Sequence, residues 1–259
     1  IALGYQALTM GDVASNDRNR LGNIAIGGFA LNSTSDNATS GQIAIGHESL
    51  TALTTGTNNT AIGYQTMRGH TTGVNNTVVG FQAMNDTDAG SNAQDSQDNV
   101  FIGYQAGAGT WGNTGASNYN VGVGSNVLDA GLNGANSNTA MGYQALTNLT
   151  TGDENVAIGI YAGYTMTATS DSVLVGRNAG YNINNTDADG TVAIGYKAGE
   201  NITSGQYNTI IGYQAGDAMT TSDQNTIIGY NAGTSLVTTG AQGSTLLGMQ
   251  AGAHLTSGA

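Results

Sequence analysis

The stretch NNTAIGYQ at residues 58–65 decides the fold of this chain because it returns along the whole length, for example as YNTIIGYQAG at residues 207–216. Each copy places an aliphatic residue directly before a glycine. Fourteen of these anchor glycines recur 17 to 23 residues apart, at Gly4, Gly27, Gly46, Gly63, Gly80, Gly103, Gly124, Gly142, Gly159, Gly176, Gly195, Gly212, Gly229 and Gly248. Such a period is typical of a solenoid, in which each repeat buries its apolar side by stacking on its neighbours. Positions in a repeat are numbered here from the anchor glycine.

The three residues before each anchor glycine have the composition of a β-strand. Position −3 is β-branched in every repeat, and position −1 is Ile, Val, Leu or Met. Because alternate residues of a strand share a face, these two positions point the same way, and we interpret them as the core. Position −2 points to the other side and is mostly alanine. A parallel strand that is apolar on both faces is normally covered on both, so we predict that position −2 packs against other copies of the chain.

The repeat therefore predicts an all-β fold, a parallel β-roll or solenoid of about 14 coils of 17 to 23 residues. The residues after the anchor glycine, often YQA, are interpreted as a second short strand of each coil. The repeats extend through residues 1–259, so we predict one continuous solenoid domain. Both ends of the sequence interrupt a repeat, and we expect the array to be a fragment of a longer fibre that continues into, or stacks end to end with, more of the same.

Asparagine recurs at position −4 in nine repeats. Stacked coils place these amides about 4.8 Å apart, close enough for each to hydrogen-bond the next. We therefore predict a structural ladder of Asn23, Asn59, Asn76, Asn99, Asn120, Asn138, Asn155, Asn208 and Asn225. Tyrosine recurs in the same way at position +1, and we interpret it as a packing ladder of Tyr5, Tyr64, Tyr104, Tyr143, Tyr196, Tyr213 and Tyr230.

Composition argues against several partners and activities. Five basic residues against 17 acidic ones give a formal net charge of −12, and the basic residues are scattered, so we expect no nucleic-acid partner. No apolar run is long enough to span a bilayer, so we expect no membrane segment in this stretch. The three histidines, His47, His70 and His254, lie in different coils, which argues against a catalytic triad. We expect neither enzymatic activity nor a catalytic cofactor.

The phrase typified by NTIIGYQA at residues 208–215 resembles the head repeats of trimeric autotransporter adhesins of the YadA type, and it is similar to repeats of phage tail-fibre proteins. The resemblance covers essentially the whole chain. It implies a β-roll with two short strands per coil, three chains packed about one axis, and a surface-exposed adhesive or spacer role. The coils of this chain are longer and more variable than those of the adhesin head.

One loop has the pattern of a calcium site. Asn185, Asp187 and Asp189 alternate before Gly190, like the first half of a calcium-binding loop, although the twelfth position is Tyr196 instead of a bidentate glutamate. The alternative is a solvated turn rich in Asn and Asp.

The only tryptophan, Trp111, lies in a long loop between two anchor glycines. An exposed indole stacks well on a sugar ring, so Trp111 is a candidate glycan contact; capping an edge of the roll is the alternative.

These features together predict a structural extracellular fibre segment that gives rigid reach and multivalent attachment to a cell-surface receptor or glycan, as in a bacterial surface adhesin, an appendage or a phage tail fibre. Two alternatives stay open. One is a tailspike-like solenoid that binds or degrades polysaccharide, which would require a pair of carboxylates in a groove. The other is an ice- or surface-binding solenoid, which would require an exposed threonine array; the threonines at position −3 are interpreted as facing inward.

Overall fold

The computed structural model describes residues 1–9, 21–32, 39–86, 95–112, 114–184, 188–236 and 242–255. These residues contain fourteen short β-strands, one directly before each anchor glycine, and no α-helix. The strands are β1 (Ala2–Leu3), β2 (Ile24–Ile26), β3 (Ile43–Ile45), β4 (Thr60–Ile62), β5 (Thr77–Val79), β6 (Val100–Ile102), β7 (Val121–Val123), β8 (Thr139–Met141), β9 (Val156–Ile158), β10 (Val173–Val175), β11 (Val192–Ile194), β12 (Thr209–Ile211), β13 (Thr226–Ile228) and β14 (Thr245–Leu247).

The chain divides into two compact units, Ile1–Asn136 with strands β1–β7 and Ser137–Ala259 with strands β8–β14. Within each unit the strands are parallel and follow sequence order. Neighbouring strands pair at equivalent positions of the repeat, as Thr60 with Thr77 and Ala61 with Val78. Each unit is therefore a β-solenoid, which confirms the predicted all-β fold. The single continuous domain over residues 1–259 stays a prediction.

The assignment of the two strand faces from the sequence was wrong. From β2 to β13 the residue at position −2 is the buried one, and Ala25, Ala61 and Phe101 are completely inaccessible. Positions −3 and −1 point outward, and Ile102 is 40% and Met141 46% exposed. The physical reason is the width of the coil. The chain turns back so soon after the strand that position −2 meets the returning segment of its own coil and needs no partner chain to cover it.

Volume in this core is shared between positions −2 and +4 of the same coil. In β3 the small Ala44 accompanies the large, buried Leu50. In β10 the relation is reversed, because the large Leu174 accompanies Gly180, where an added Cβ would lie 2.8 Å from Leu174 Cδ2. Since interiors tolerate neither voids nor overlaps, one large side chain of the pair excludes the other.

The segment after the anchor glycine is a turn, so the predicted second strand was also wrong for the described coils. Positions +2 and +4 adopt the left-handed conformation, with φ of 53° at Gln65 and 52° at Met67. The N–H of Gln65 donates to the carbonyl of His47 in the preceding coil at 2.9 Å, and that of Met67 to the carbonyl of Ala83 in the following coil at 3.0 Å. Backbone hydrogen bonds between coils therefore continue through the turn without strand geometry.

The anchor glycine is required for two reasons at once. At Gly63 φ is 142°, a conformation that is essentially restricted to glycine. A Cβ added there would also lie 2.1 Å from the carbonyl oxygen of Gly80 in the next coil. The recurrence of the anchor glycine implied a positive φ or a close backbone approach, and Gly63 has both.

Candidate functional site

The predicted asparagine ladder is confirmed. All nine side chains are buried, and the amides of neighbouring coils bond to one another. Asn76 Nδ2 donates to Asn59 Oδ1 at 3.1 Å, and Asn99 Nδ2 donates to Asn76 Oδ1 at 3.1 Å. Equivalent bonds connect Asn120 to Asn99, Asn155 to Asn138, and Asn225 to Asn208.

Each ladder amide also closes its own coil. Asn76 Nδ2 donates to the carbonyl of Ser96 at 3.0 Å, and Asn76 Oδ1 accepts the backbone N–H of Asn99 at 3.0 Å. Gln42 continues the ladder where asparagine is missing, because its Oε1 accepts the N–H of Asn59 at 3.1 Å. These amides satisfy buried backbone groups that would otherwise be costly, so the role of the ladder is structural.

His70 is buried at position +7, where the corresponding coils carry aliphatic residues such as Leu53 and Leu149. Its Nε2 lies 3.3 Å from Asn76 Nδ2, within the asparagine ladder. Burial lowers the pKa of His70 to about 4, because the apolar surroundings disfavour the imidazolium. The imidazole is therefore a neutral core group near pH 7.

The candidate calcium loop is described only at its end. Asn185 and Asp187 lie outside the described residues. Asp189 Oδ1 accepts the backbone N–H of Ser170 in the preceding coil at 2.7 Å, so this carboxylate links two coils. Within the described ranges, no cluster of three or more His, Cys, Asp or Glu side chains has the arrangement of a metal site.

The candidate glycan contact at Trp111 was wrong. The indole is completely buried, packs edge-to-face against Phe101 with ring centroids 5.9 Å apart, and donates its Nε1–H to the carbonyl of Gly107 at 2.9 Å. The long loop folds the ring into the core beside Phe101. A buried ring offers no face to a sugar.

The predicted packing of the rings at position +1 is confirmed for Tyr64, Tyr104, Tyr196, Tyr213 and Tyr230, whereas in the described part of the chain Tyr5 and Tyr143 contact only a ring at position +2, edge to face. The stacked rings are also partly exposed. In the first unit His47, Tyr64, Phe81 and Tyr104 form what we call the aromatic row. Their centroids are 5.3 to 5.5 Å apart and their planes lie within 12° of parallel. In the second unit Tyr196, Tyr213 and Tyr230 stack at 5.0 and 5.4 Å.

Beside the aromatic row, the side chains at position +2 form a second, hydrogen-bonded row. Gln65 Nε2 donates to Glu48 Oε2 at 2.8 Å, and Gln82 Nε2 donates to Gln65 Oε1 at 2.9 Å. Gln105 Nε2 donates to Gln82 Oε1 at 3.2 Å. These amides tie each coil to the next on the surface, as the asparagines do inside.

Positions −3 and −1 of each unit form a surface that we call the outer face. It carries no charged side chain at any position. Six of its residues are threonines, at Thr60, Thr77, Thr139, Thr209, Thr226 and Thr245. Because β-branched side chains have few rotamers, the outer face is stiff as well as apolar. A partly exposed, uncharged surface of this kind is a candidate interaction site. The sequence pattern located these residues but reversed their direction.

The described residues form no helix that is long and apolar enough to cross a membrane. Comparison of the chain with protein-family models, with curated protein sequences and with solved structures finds no match.

Proposed function

We propose that this chain is a structural segment of an extracellular fibre, which gives rigid reach and presents repeated attachment points to a cell surface. The observation that carries the proposal is the continuity of each solenoid. Neighbouring coils bond to each other through their strands and turns, and through a buried amide wherever the ladder residue is present. Such an array resists bending and displays one surface many times, which is the basis of multivalent attachment. The resemblance to adhesin and tail-fibre repeats supports the same role.

The outer face is the surface through which the fibre assembles. We expect three copies to pack their outer faces around a common axis, as the resemblance implies. Removing an apolar, uncharged sheet surface from water is favourable by about 25 cal/mol per Å² of buried area. Equal strand spacing in every copy lets the side chains of one outer face fit between those of another. This arrangement replaces the contact through position −2 that the sequence pattern suggested.

Sedimentation velocity of the whole chain tests the assembly. The wild-type chain is expected to sediment as a trimer at micromolar concentration. A variant with Ile45→Lys, Ile62→Lys and Val79→Lys buries three charges in the proposed contact, which we expect to weaken association by about a hundredfold or more. The matched control is Asn58→Lys, which adds a lysine at an exposed position of the same coil as Ile62.

Two outcomes would overturn the assembly. One is a wild-type chain that stays monomeric throughout the concentration range. The other is a triple-lysine variant that associates as strongly as the Asn58→Lys control.

Ice or crystal-surface binding is the second candidate function, and one observation now favours it. The threonines at position −3, such as Thr60 and Thr77, lie on the exposed outer face and not in the core. They belong to a stiff array with a strand spacing of about 4.8 Å. An ice-recrystallisation assay separates the two functions. A surface-binding solenoid inhibits recrystallisation as the wild-type chain and loses this activity in the triple-lysine variant, whereas a fibre segment has no effect in either form.

A further inference from the structure

The aromatic row of the first unit stops at a position where its next ring is missing. Phe81 and Tyr104 stack with centroids 5.4 Å apart and planes 5° from parallel. The next coil has Ser125 at position +1. Its register is fixed, because the N–H of Asn126 donates to the carbonyl of Tyr104 at 2.9 Å. Ser125 therefore lies beside Tyr104 where a further ring would continue the stack.

The rings of the row are exposed to a similar extent. Tyr64 is stacked by His47 on one side and Phe81 on the other, and it is 44% exposed. Phe81, which also has a ring on each side, is 43% exposed. Tyr104 is 51% exposed. Tyr104 is the member of the row that presents one ring face toward a small polar residue.

Polar groups surround the vacant place. The hydroxyl of Ser125 lies 3.1 Å from Asn126 Oδ1, and Asn126 Nδ2 donates to Asp129 Oδ2 at 2.9 Å. A carboxylate accepts several hydrogen bonds and a hydroxyl both donates and accepts, so these groups retain capacity for a ligand. Burial raises the pKa of Asp129 above its ordinary value, which reflects partly desolvated surroundings.

We propose that Tyr104, Ser125, Asn126 and Asp129 form a subsite for one pyranose ring of a glycan. We call it the open rung. The apolar C–H face of the sugar stacks on Tyr104, and the sugar hydroxyls bond to Ser125 and Asp129. A purely aromatic ligand would fill the same gap but offer Ser125 and Asp129 no hydrogen bond in exchange for the water that it displaces. The net charge of −12 disfavours acidic sugars, so the ligand class is a neutral or amino sugar.

The open rung deepens the proposed function. It rests on that function in one respect, because a fibre at a cell surface encounters glycans. It is separate from the outer face. Its residues lie at position +1 and beyond, on the far side of the anchor glycine from the strand. Binding of sugar and self-association can therefore fail independently.

Saturation-transfer difference NMR tests the open rung on the whole chain. The probes are the methyl glycosides of glucose, galactose, mannose and glucosamine, with p-cresol as an aromatic comparison. At least one glycoside is expected to receive saturation, with a dissociation constant of about 1 to 10 mM, as is usual for one small ring. Tyr104→Ala should weaken binding by about tenfold or more, since it removes the stacking face.

Two further variants make the test specific. Tyr64→Ala removes a ring of the same row whose faces are both covered by neighbours, and we expect it to leave sugar binding within about twofold of the wild type. Ser125→Tyr fills the open rung with a ring, so it should abolish sugar binding and raise the melting temperature through the added stacking contact. This variant keeps the test decisive even where Tyr104→Ala fails to fold.

Three results would overturn the proposal. The wild-type chain binds none of the four glycosides, or p-cresol alone binds, or Tyr64→Ala weakens sugar binding as much as Tyr104→Ala does. Sedimentation velocity of the same samples reports separately on self-association, so a wild-type chain that forms the trimer but binds none of the glycosides would reject the open rung and leave the fibre proposal standing.

Discussion

At the scale of single residues, two groups that recur from coil to coil fix the geometry of the backbone. The anchor glycine supplies a positive φ and lets two backbones approach, as at Gly63 and Gly80. The ladder asparagine satisfies backbone groups that face no water. Both requirements are local and repeat with the coil, so the sequence displayed them clearly. The exact side-chain contacts of His70 and Trp111 do not repeat and were visible only in the fold.

Substitution of an anchor glycine separates backbone strain from steric overlap. Gly63→Ala adds a Cβ 2.1 Å from the carbonyl oxygen of Gly80, at a φ of 142°. We expect a loss of more than about 4 kcal/mol in the free energy of unfolding, because the clash adds to the strain. Gly248→Ala is the matched control, since φ there is 121° and an added Cβ meets no atom within 4 Å. Urea denaturation measures both, and equal losses would contradict the role of the close approach.

His70 makes the stability of the coil sensitive to acid. Its pKa is lowered from 6.5 to about 4 by burial. Between these values the unfolded chain binds a proton that the folded chain does not, so the free energy of unfolding falls as the pH drops. The contribution of His70 lost between pH 7 and pH 4.5 is about 2.5 kcal/mol.

The variant His70→Leu, which copies the residue of the corresponding position at Leu53, isolates this effect. Its free energy of unfolding should fall by about 2.5 kcal/mol less than that of the wild type over the same pH interval. Urea denaturation at the two pH values measures the difference. The same loss in both proteins would show that His70 does not titrate as its burial requires.

At the scale of the element, each coil is one strand, one turn and one shared core volume. The strand positions were predictable because three residues before a glycine repeat the same pattern in every coil. The turn was not, because the left-handed residues at Gln65 and Met67 have no compositional signature of positive φ. The relation between positions −2 and +4 was present in the sequence, since large residues at −2, as at Leu174, coincide with glycine at +4. That pairing places both positions in one interior and would have identified the core.

An exchange of core volume within one coil tests that relation. Leu174→Ala alone leaves a cavity and should cost about 3 kcal/mol. Gly180→Leu alone overpacks the coil, because its Cβ would already lie 2.8 Å from Leu174 Cδ2, and should cost about 2 kcal/mol. The double variant recreates the combination of Ala44 and Leu50.

The double variant should therefore be more stable than the sum of the single changes by at least about 2 kcal/mol. A double-mutant cycle by urea denaturation gives this coupling energy. Additive effects would mean that the two positions do not share one space.

At the scale of the whole molecule, the excess of acidic residues lies away from the outer face, which is uncharged throughout. The proposed association through that face would bring together chains that each carry a net charge of −12. The apolar contact must therefore overcome long-range repulsion between the copies, and dissolved salt screens this repulsion.

Salt should consequently strengthen assembly. Between about 0.05 M and 0.5 M sodium chloride we expect the dissociation constant of the trimer to fall by about tenfold, because the screening length shortens to a few ångströms. Sedimentation equilibrium across this range measures the change. A dissociation constant that rises with salt would indicate that ion pairs, and not the apolar outer face, hold the copies together.

The sequence by itself determined the repeat, the position and register of every described strand, and the ladder of buried asparagines, because each depends on contacts that recur once per coil. The tertiary structure alone decided which side of the strand is the interior. The alternation of strand residues defines two faces, but it does not show which face is buried when both are apolar. Only the path of the turn, which brings Leu50 and Met67 beneath Ala44 and Ala61, decides between the two faces. It encloses position −2 and leaves positions −3 and −1 on the surface, where the function is proposed to lie.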